Sequence, residues 1–172
     1  MKAIRLLTLA ALLGGATFAA LSCGDQRPPT AQSDLLGLGS INQIVGLLAC
    51  TPLPYDSVTD TIGPAGGTIQ VGPHTFTVPP GSLDSNVAIT AVMDADSINA
   101  VRFQPQGLQF QNPALLTLSY ANCNLLFGLL PKHVAYVNDS LQILDYLPSS
   151  GNAFQQTITG HVQHFSEYAV AW

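Results

Sequence analysis

The chain reads as all-β, an antiparallel β-sandwich over residues 56 to 172. Two short alternating runs at its centre carry this reading. In Thr68-Ile69-Gln70-Val71 the apolar Ile69 and Val71 share one face, and in His74-Thr75-Phe76-Thr77-Val78 so do Phe76 and Val78. Such alternation, rich in Thr, Val, Ile and Phe, marks half-buried strands. Further runs of the same kind follow at spacings of about 8 to 12 residues, the pattern of a sandwich or barrel. No amphipathic helical pattern interrupts them, which argues against an α/β enzyme.

The N-terminus is a different kind of sequence. Lys2 and Arg5 form a positive start, and Leu6 to Leu21 is apolar and uncharged. That run is shorter than the roughly 20 residues that span a bilayer. It closes on Ala20-Leu21-Ser22-Cys23. Residues 1 to 22 are therefore expected to be a secretory signal peptide. A cysteine at the cleavage point resembles the lipobox of bacterial lipoproteins, and the resemblance implies lipidation of Cys23. It departs from the favoured form in having Ala20 where leucine is common and Leu21 where a small residue is usual. The alternative is ordinary cleavage near Ala20, with Cys23 left as a free thiol. Two or more acyl chains, at roughly 0.8 kcal/mol per buried CH₂, anchor stably where one does not. Gly24, not aspartate, follows the cysteine. By resemblance to lipoprotein sorting, this implies the outer membrane if the organism is Gram-negative, and otherwise simply the cell envelope.

Residues 23 to 34 are the lipidated cysteine and a polar tether, with a Pro-Pro pair and no apolar periodicity. Residues 35 to 55 form an apolar bridging segment. Within it Ile41, Ile44, Val45 and Leu48 follow helical spacing, and Ser40 with Gln43 has capping-box spacing. A short helix over 41–49 is the expectation, weakened by about 1 kcal/mol by Gly46. It would lie on the sandwich, cover its open end, or meet a membrane or partner. Cys50 and Cys123 are left as an even pair once Cys23 is assigned. In an exported chain they are expected to form a disulfide. It would close a loop of about 70 residues and contribute near 4 kcal/mol by chain entropy.

The strands then follow in order. Asp56 to Ile62 is the first, ended by Gly63-Pro64. The two central runs come next, joined by a Gly72-Pro73 turn and stopped by Pro79-Pro80-Gly81, since proline cannot donate to a ladder. Asn86 to Met93 and Val101 to Phe110 follow. Asn112-Pro113 precedes Ala114 to Tyr120. Later runs are His133 to Val137, Leu141 to Leu147, Phe154 to Thr159 and Val162 to Ala171, with turn clusters at Asn138-Asp139 and Ser149 to Asn152.

The stretch from Gly66 to Leu83, GGTIQVGPHTFTVPPGSL, resembles the opening of the ZU-five domain. This β-sandwich is known from ankyrins, netrin receptors, zona-occludens proteins and many bacterial secreted proteins. Pro105, Gly107 and Phe110 resemble that family's P-x-G-x-x-F passage. The resemblance covers residues 62 to 172. It implies a sandwich that acts as a protein-interaction module, and it names no partner.

Composition narrows the partners. Charged residues make up 9% of the chain. Its bases are Lys2, Arg5, Arg27, Arg102 and Lys132, so a processed chain keeps three against ten acids, a net of −7 (3 − 10). Nucleic acid is excluded on this count, because phosphate binding needs clustered Lys and Arg. The expected partners are the membrane, through the anchor, and an envelope protein.

One motif carries chemistry. Some ZU-five-like domains cleave themselves between the Phe and Ser of an H-F-S triplet, which here is His164-Phe165-Ser166. By that resemblance Ser166 would attack the Phe165 carbonyl, His164 would act as base, and water would hydrolyse the resulting ester. Phe165 is out of phase with Tyr168 and Val170, so a bulge or bend is expected to turn it inward. The competing reading, which weighs more, makes Phe165, Tyr168 and Val170 core and His164 a polar plug. The chain is therefore expected not to be an enzyme.

His161 and His164 are three apart on a strand and face opposite sides, so no metal site and no cofactor is expected. Asp94 and Asp96 flank a turn but lack a calcium-loop pattern. His74 and His133 are read as strand-edge polar residues. A carbohydrate- or surface-binding sandwich is a further alternative, needing an aromatic strip from Tyr55, Tyr136 and Tyr146. No phosphate, dinucleotide or hydrolase motif is present.

Overall fold

The computed structural model describes residues 46–124 and 130–172. The signal peptide, Cys23, the tether and most of the bridging segment lie outside the described residues. Among the described residues eleven strands form two antiparallel sheets, and the domain is a β-sandwich. The strands are β1 Asp56–Ile62, β2 Gly67–Val71, β3 His74–Val78, β4 Val87–Met93, β5 Ala100–Gln104, β6 Gln109–Ser119, β7 His133–Val137, β8 Ile143–Tyr146, β9 Ser149–Asn152, β10 Thr157–His164 and β11 Glu167–Ala171. One sheet has the order β1-β4-β5-β11-β7-β8, the other β2-β3-β6-β10-β9.

Alternation decides what each strand buries. On β3 the side chains of His74, Phe76 and Val78 point inward while Thr75 and Thr77 do not. On β5 Val101 and Phe103 are buried, and on β4 Ile89, Ala91 and Met93. The centre of the core is aromatic. Phe103 stacks on Phe165 with ring centroids 5.1 Å apart, Phe110 meets Phe165 edge-on at 5.1 Å, and Phe76 leans on Phe103 at 4.5 Å. Each such pair adds about 1 kcal/mol to what area burial already contributes.

The outer face of the six-stranded sheet has a second, smaller cluster. Ala135, Val137, Ala169 and Ala171 lie there under Leu47. Here the expected helix over 41–49 is corrected. Its described part, residues 46–49, is an extended strap. Gly46 sits at φ 98°, Leu47 bridges Ala171, and Ala49 bridges Ile98. The reason is tertiary. The strap gives its backbone groups to the sheet and puts Leu47 into the outer cluster and Leu48 into the main core, and this outweighs a weak helical preference. Cys50 bonds to Cys123, as expected, and ties the strap to the loop after β6.

Strand expectations also change. Val162 to Ala171 is not one run, because it is split between the end of β10 and β11, which lie in different sheets. Val101 to Phe110 is not one run, because the chain turns at the cis Gln104–Pro105 bond between β5 and β6. Asn112-Pro113 does not break β6, which runs 11 residues. Pro113 falls between the pairs Gln109↔His164 and Ala114↔Val162, where the β10 register shifts and the ladder asks no donor of it. Ser149 to Asn152, expected as a turn, is edge strand β9, paired with β10 alone. Phe154 to Gln156 is the turn instead.

Candidate functional site

The triplet His164-Phe165-Ser166 lies at the corner where the chain leaves β10 in one sheet and enters β11 in the other. The expected irregularity is there, as a register shift between Val162 and His164. Phe165 turns inward and is buried among Phe76, Phe103 and Phe110. Its amide donates to the Leu108 carbonyl at 2.7 Å, and its carbonyl accepts from the Gly107 amide at 3.0 Å. The Ser166 carbonyl accepts from the Phe103 amide at 2.9 Å. These bonds hold the corner onto the β5–β6 turn. The His164 ring meets Tyr136 edge-on at 5.2 Å, and the Tyr168 hydroxyl donates to the His164 carbonyl. Burial, reinforced by Tyr136, pushes the Tyr168 phenol well above its ordinary range. The structure thus brings the triplet together as a corner, with its imidazole against two tyrosines and no hydrogen bond joining it to the Ser166 hydroxyl. A fragment cut at Phe165–Ser166 would also not leave. It is β11, which pairs on both sides, with β5 and β7.

A second feature lies on the outer face of the six-stranded sheet. A recess of about 130 Å³ is floored by Ile98, Ala100 and Leu141 and rimmed by Asp94, Asp96, Asp139 and Glu167 around Arg102. The register Glu167↔Arg102 sets acid and base side by side across β11 and β5. Arg102 pairs with Asp94 at 3.2 Å. Burial raises the Glu167 carboxyl above its ordinary value. Arg102 opposes this, and Asp94, Asp139 and Asp96 add to it. Asp96 spends one oxygen on the Ser97 amide and hydroxyl. The recess is electronegative, with four carboxylates to one guanidinium.

The remaining candidates are placed as follows. His161 is exposed and His164 half-buried, and among the described residues no group of three His, Cys, Asp or Glu side chains is arranged to hold a metal. His133 stands at the start of β7, edge-on to Tyr146 at 5.7 Å. His74 is not a strand-edge residue, and that expectation is corrected. It is wholly buried, and its Nδ1 accepts from the Ser119 amide at 3.1 Å, while Nε2 has no partner among the described residues. Burial lowers its pKa to about 4. Tyr55, Tyr136 and Tyr146 do not form a strip. Tyr55 precedes edge strand β1, Tyr146 ends β8 at the opposite edge, and Tyr136 packs on Tyr168 at 5.9 Å.

Sequence reasoning missed Glu167, Asp139 and Arg102 as neighbours. Only the β5–β11–β7 order brings them together, and nothing local signals it. No family model matches the chain, and no curated protein does.

Proposed function

We propose that this is an exported, lipid-anchored protein of the cell envelope, attached through Cys23, whose ZU-five-like sandwich works as a protein-interaction or structural module and not as an enzyme. The observation that carries the reading is the Cys50–Cys123 disulfide, which locks the strap to the domain across a separation of 73 residues. Such bridges persist in oxidising compartments outside the cytosol, and the leader ending at Cys23 is the sequence that would take the chain there. A sandwich whose two sheets enclose a filled aromatic core leaves its surface for contact with partners. Self-cleavage would need a base within reach of the Ser166 hydroxyl, and the imidazole of His164 is turned to Tyr136 instead.

Intact mass of the protein extracted from membranes is the test. A mature chain beginning at Cys23 and carrying acyl mass, with Ser166 to Trp172 still attached under denaturing conditions, agrees with the proposal. An unmodified thiol at Cys23 ends the anchor. Loss of the last strand on denaturation ends the non-enzymatic reading. Crosslinking in envelope fractions then identifies the partner, and absence of any crosslinked protein refutes the interaction role.

A further inference from the structure

The exposed apolar side chains are not scattered. Among the described residues five large ones are exposed, Tyr55, Leu130, Leu144, Tyr146 and Phe154. Leu144 sits along β8. The other four lie toward one end of the sandwich. The strand registers define that end. Asp56 opens β1 there, opposite Met93, and Asn152 and Thr157 close the β9–β10 hairpin beside Ser119. The disulfide, the 120–123 loop and the start of β7 are at the same end, because Asn99 donates to both the Ser119 carbonyl and Asn122.

Phe154 is the extreme case, at 98% exposure on the tip of the β9–β10 hairpin. The tip is built to hold it out. The Gln155 amide donates to the Asn152 side chain at 3.1 Å, and the two side-chain amides bond at 2.8 Å. Gln156 accepts from the Tyr120 amide at 2.8 Å while sitting at φ 53°, a region non-glycine residues rarely occupy. Strain of this kind, held by its surroundings, goes with a functional tip. From Asn152 to Thr157 the hairpin carries no charge. A bare aromatic ring on an uncharged, rigid tip suits the boundary of a lipid bilayer, where aromatic and apolar side chains gain by leaving water.

The occupant is chosen by where the chain enters. Gly46 is the first described residue. Its carbonyl accepts from the Trp172 amide at 2.9 Å, and the Tyr146 hydroxyl comes within 3.1 Å of where a Cβ on Gly46 would stand. The chain from Cys23, which stands 23 positions before Gly46 (46 − 23), therefore joins the sandwich at the end that carries Phe154. We propose that this end rests on the lipid surface that holds the anchor, with Phe154 dipping into the bilayer and Tyr55, Leu130 and Tyr146 at the same end of the sandwich. The inference depends on the anchor reading above. Asp94 and Asp96 stand near the same end, so a neutral lipid surface suits it better than an anionic one.

The test uses the mature protein purified from membranes and placed in phosphatidylcholine vesicles, with and without brominated acyl chains. Trp172 is the chain's one tryptophan, so the unaltered protein supplies the background for a Phe154→Trp variant. A Gln106→Trp variant, on the exposed β5–β6 turn at the far end, is the control. The expected result is a blue-shifted Phe154→Trp signal that loses most of its intensity to bromolipid, with Gln106→Trp unaffected. Intact mass is measured first. An acylated protein whose residue 154 emits as in water, or shifts to the blue without bromolipid quenching, overturns lipid docking and leaves the anchor standing. Equal quenching at both positions overturns the orientation. An unmodified Cys23 overturns the anchor and this inference together.

Discussion

Acidifying the protein from pH 7 to pH 4.5 removes about 2.5 kcal/mol of stability through one side chain, His74. The imidazole is wholly buried, and its Nδ1 accepts the Ser119 amide, so its single proton sits on Nε2. A second proton would have to go on Nδ1. That would break the bond to Ser119 and leave a charge in the core. Burial accordingly lowers the pKa from 6.5 to about 4. The sign follows from proton counting. Below pH 6.5 the unfolded chain takes up a proton that the native chain refuses until about pH 4, so stability falls as pH falls through that window. At one pKa unit per 1.36 kcal/mol, the full loss approaches about 3.4 kcal/mol, and about 2.5 of it is complete by pH 4.5. Glu167 runs the other way. Its raised carboxyl gives stability that is present at low pH and lost as pH rises through its folded value. A His74→Leu variant separates the two. Urea midpoints at several pH values should fall with acid in the unaltered protein and much less in the variant, which is less stable at pH 7 but lacks the acid-dependent loss. The reasoning is refuted if both proteins show the same pH slope, or if NMR finds His74 titrating at 6.5 in the folded state.

Other changes act on the packing. Replacing Cys50 and Cys123 by alanine should cost about 4 kcal/mol from the 73-residue separation, read as a fall in urea midpoint that reductant reproduces in the unaltered protein. Phe165→Ala should cost about 4 kcal/mol, because its ring contacts Phe76, Phe103 and Phe110, and thermal melting reads the loss. Gly160→Ala should cost about 2 kcal/mol although it adds one methyl, since a Cβ there would stand 2.7 Å from that of Val134 in the facing sheet. The same substitution at Gly151, where the nearest atom is the Ile158 Cδ1 at 3.5 Å, should be nearly silent in the same melt.

The sandwich was legible wherever one face of a strand is buried and the other wet. β1 and β3 end where the residue pattern places them, and β2 and β4 begin within a residue of it. Even His74 was marked, for it is in phase with Phe76 and Val78 on β3. Weighing its polar identity above that phase misplaced it. β9 was illegible for the opposite reason. Ser-Ser-Gly-Asn has no apolar residue to alternate, and the strand exists because β10 offers it a ladder. The strap misled because its spacing fits a helix, while the small Ala135, Ala169 and Ala171 make a trough that an extended chain with Leu47 fills. Around the recess, Arg102 and Glu167 are 65 positions apart (167 − 102) and are joined only by register. No local pattern carries that pairing.

The placement of β11 has a consequence for biogenesis. It follows every other described strand in sequence yet lies inside the six-stranded sheet, between β5 and β7. Until it emerges from a ribosome or a translocation pore, those two neighbours are bare edges and the sheet is two unconnected halves, a state prone to wrong pairing. A polypeptide wired this way cannot complete its six-stranded sheet early. It also makes the closing residues, from Glu167 onward, the clasp on which the whole assembly waits.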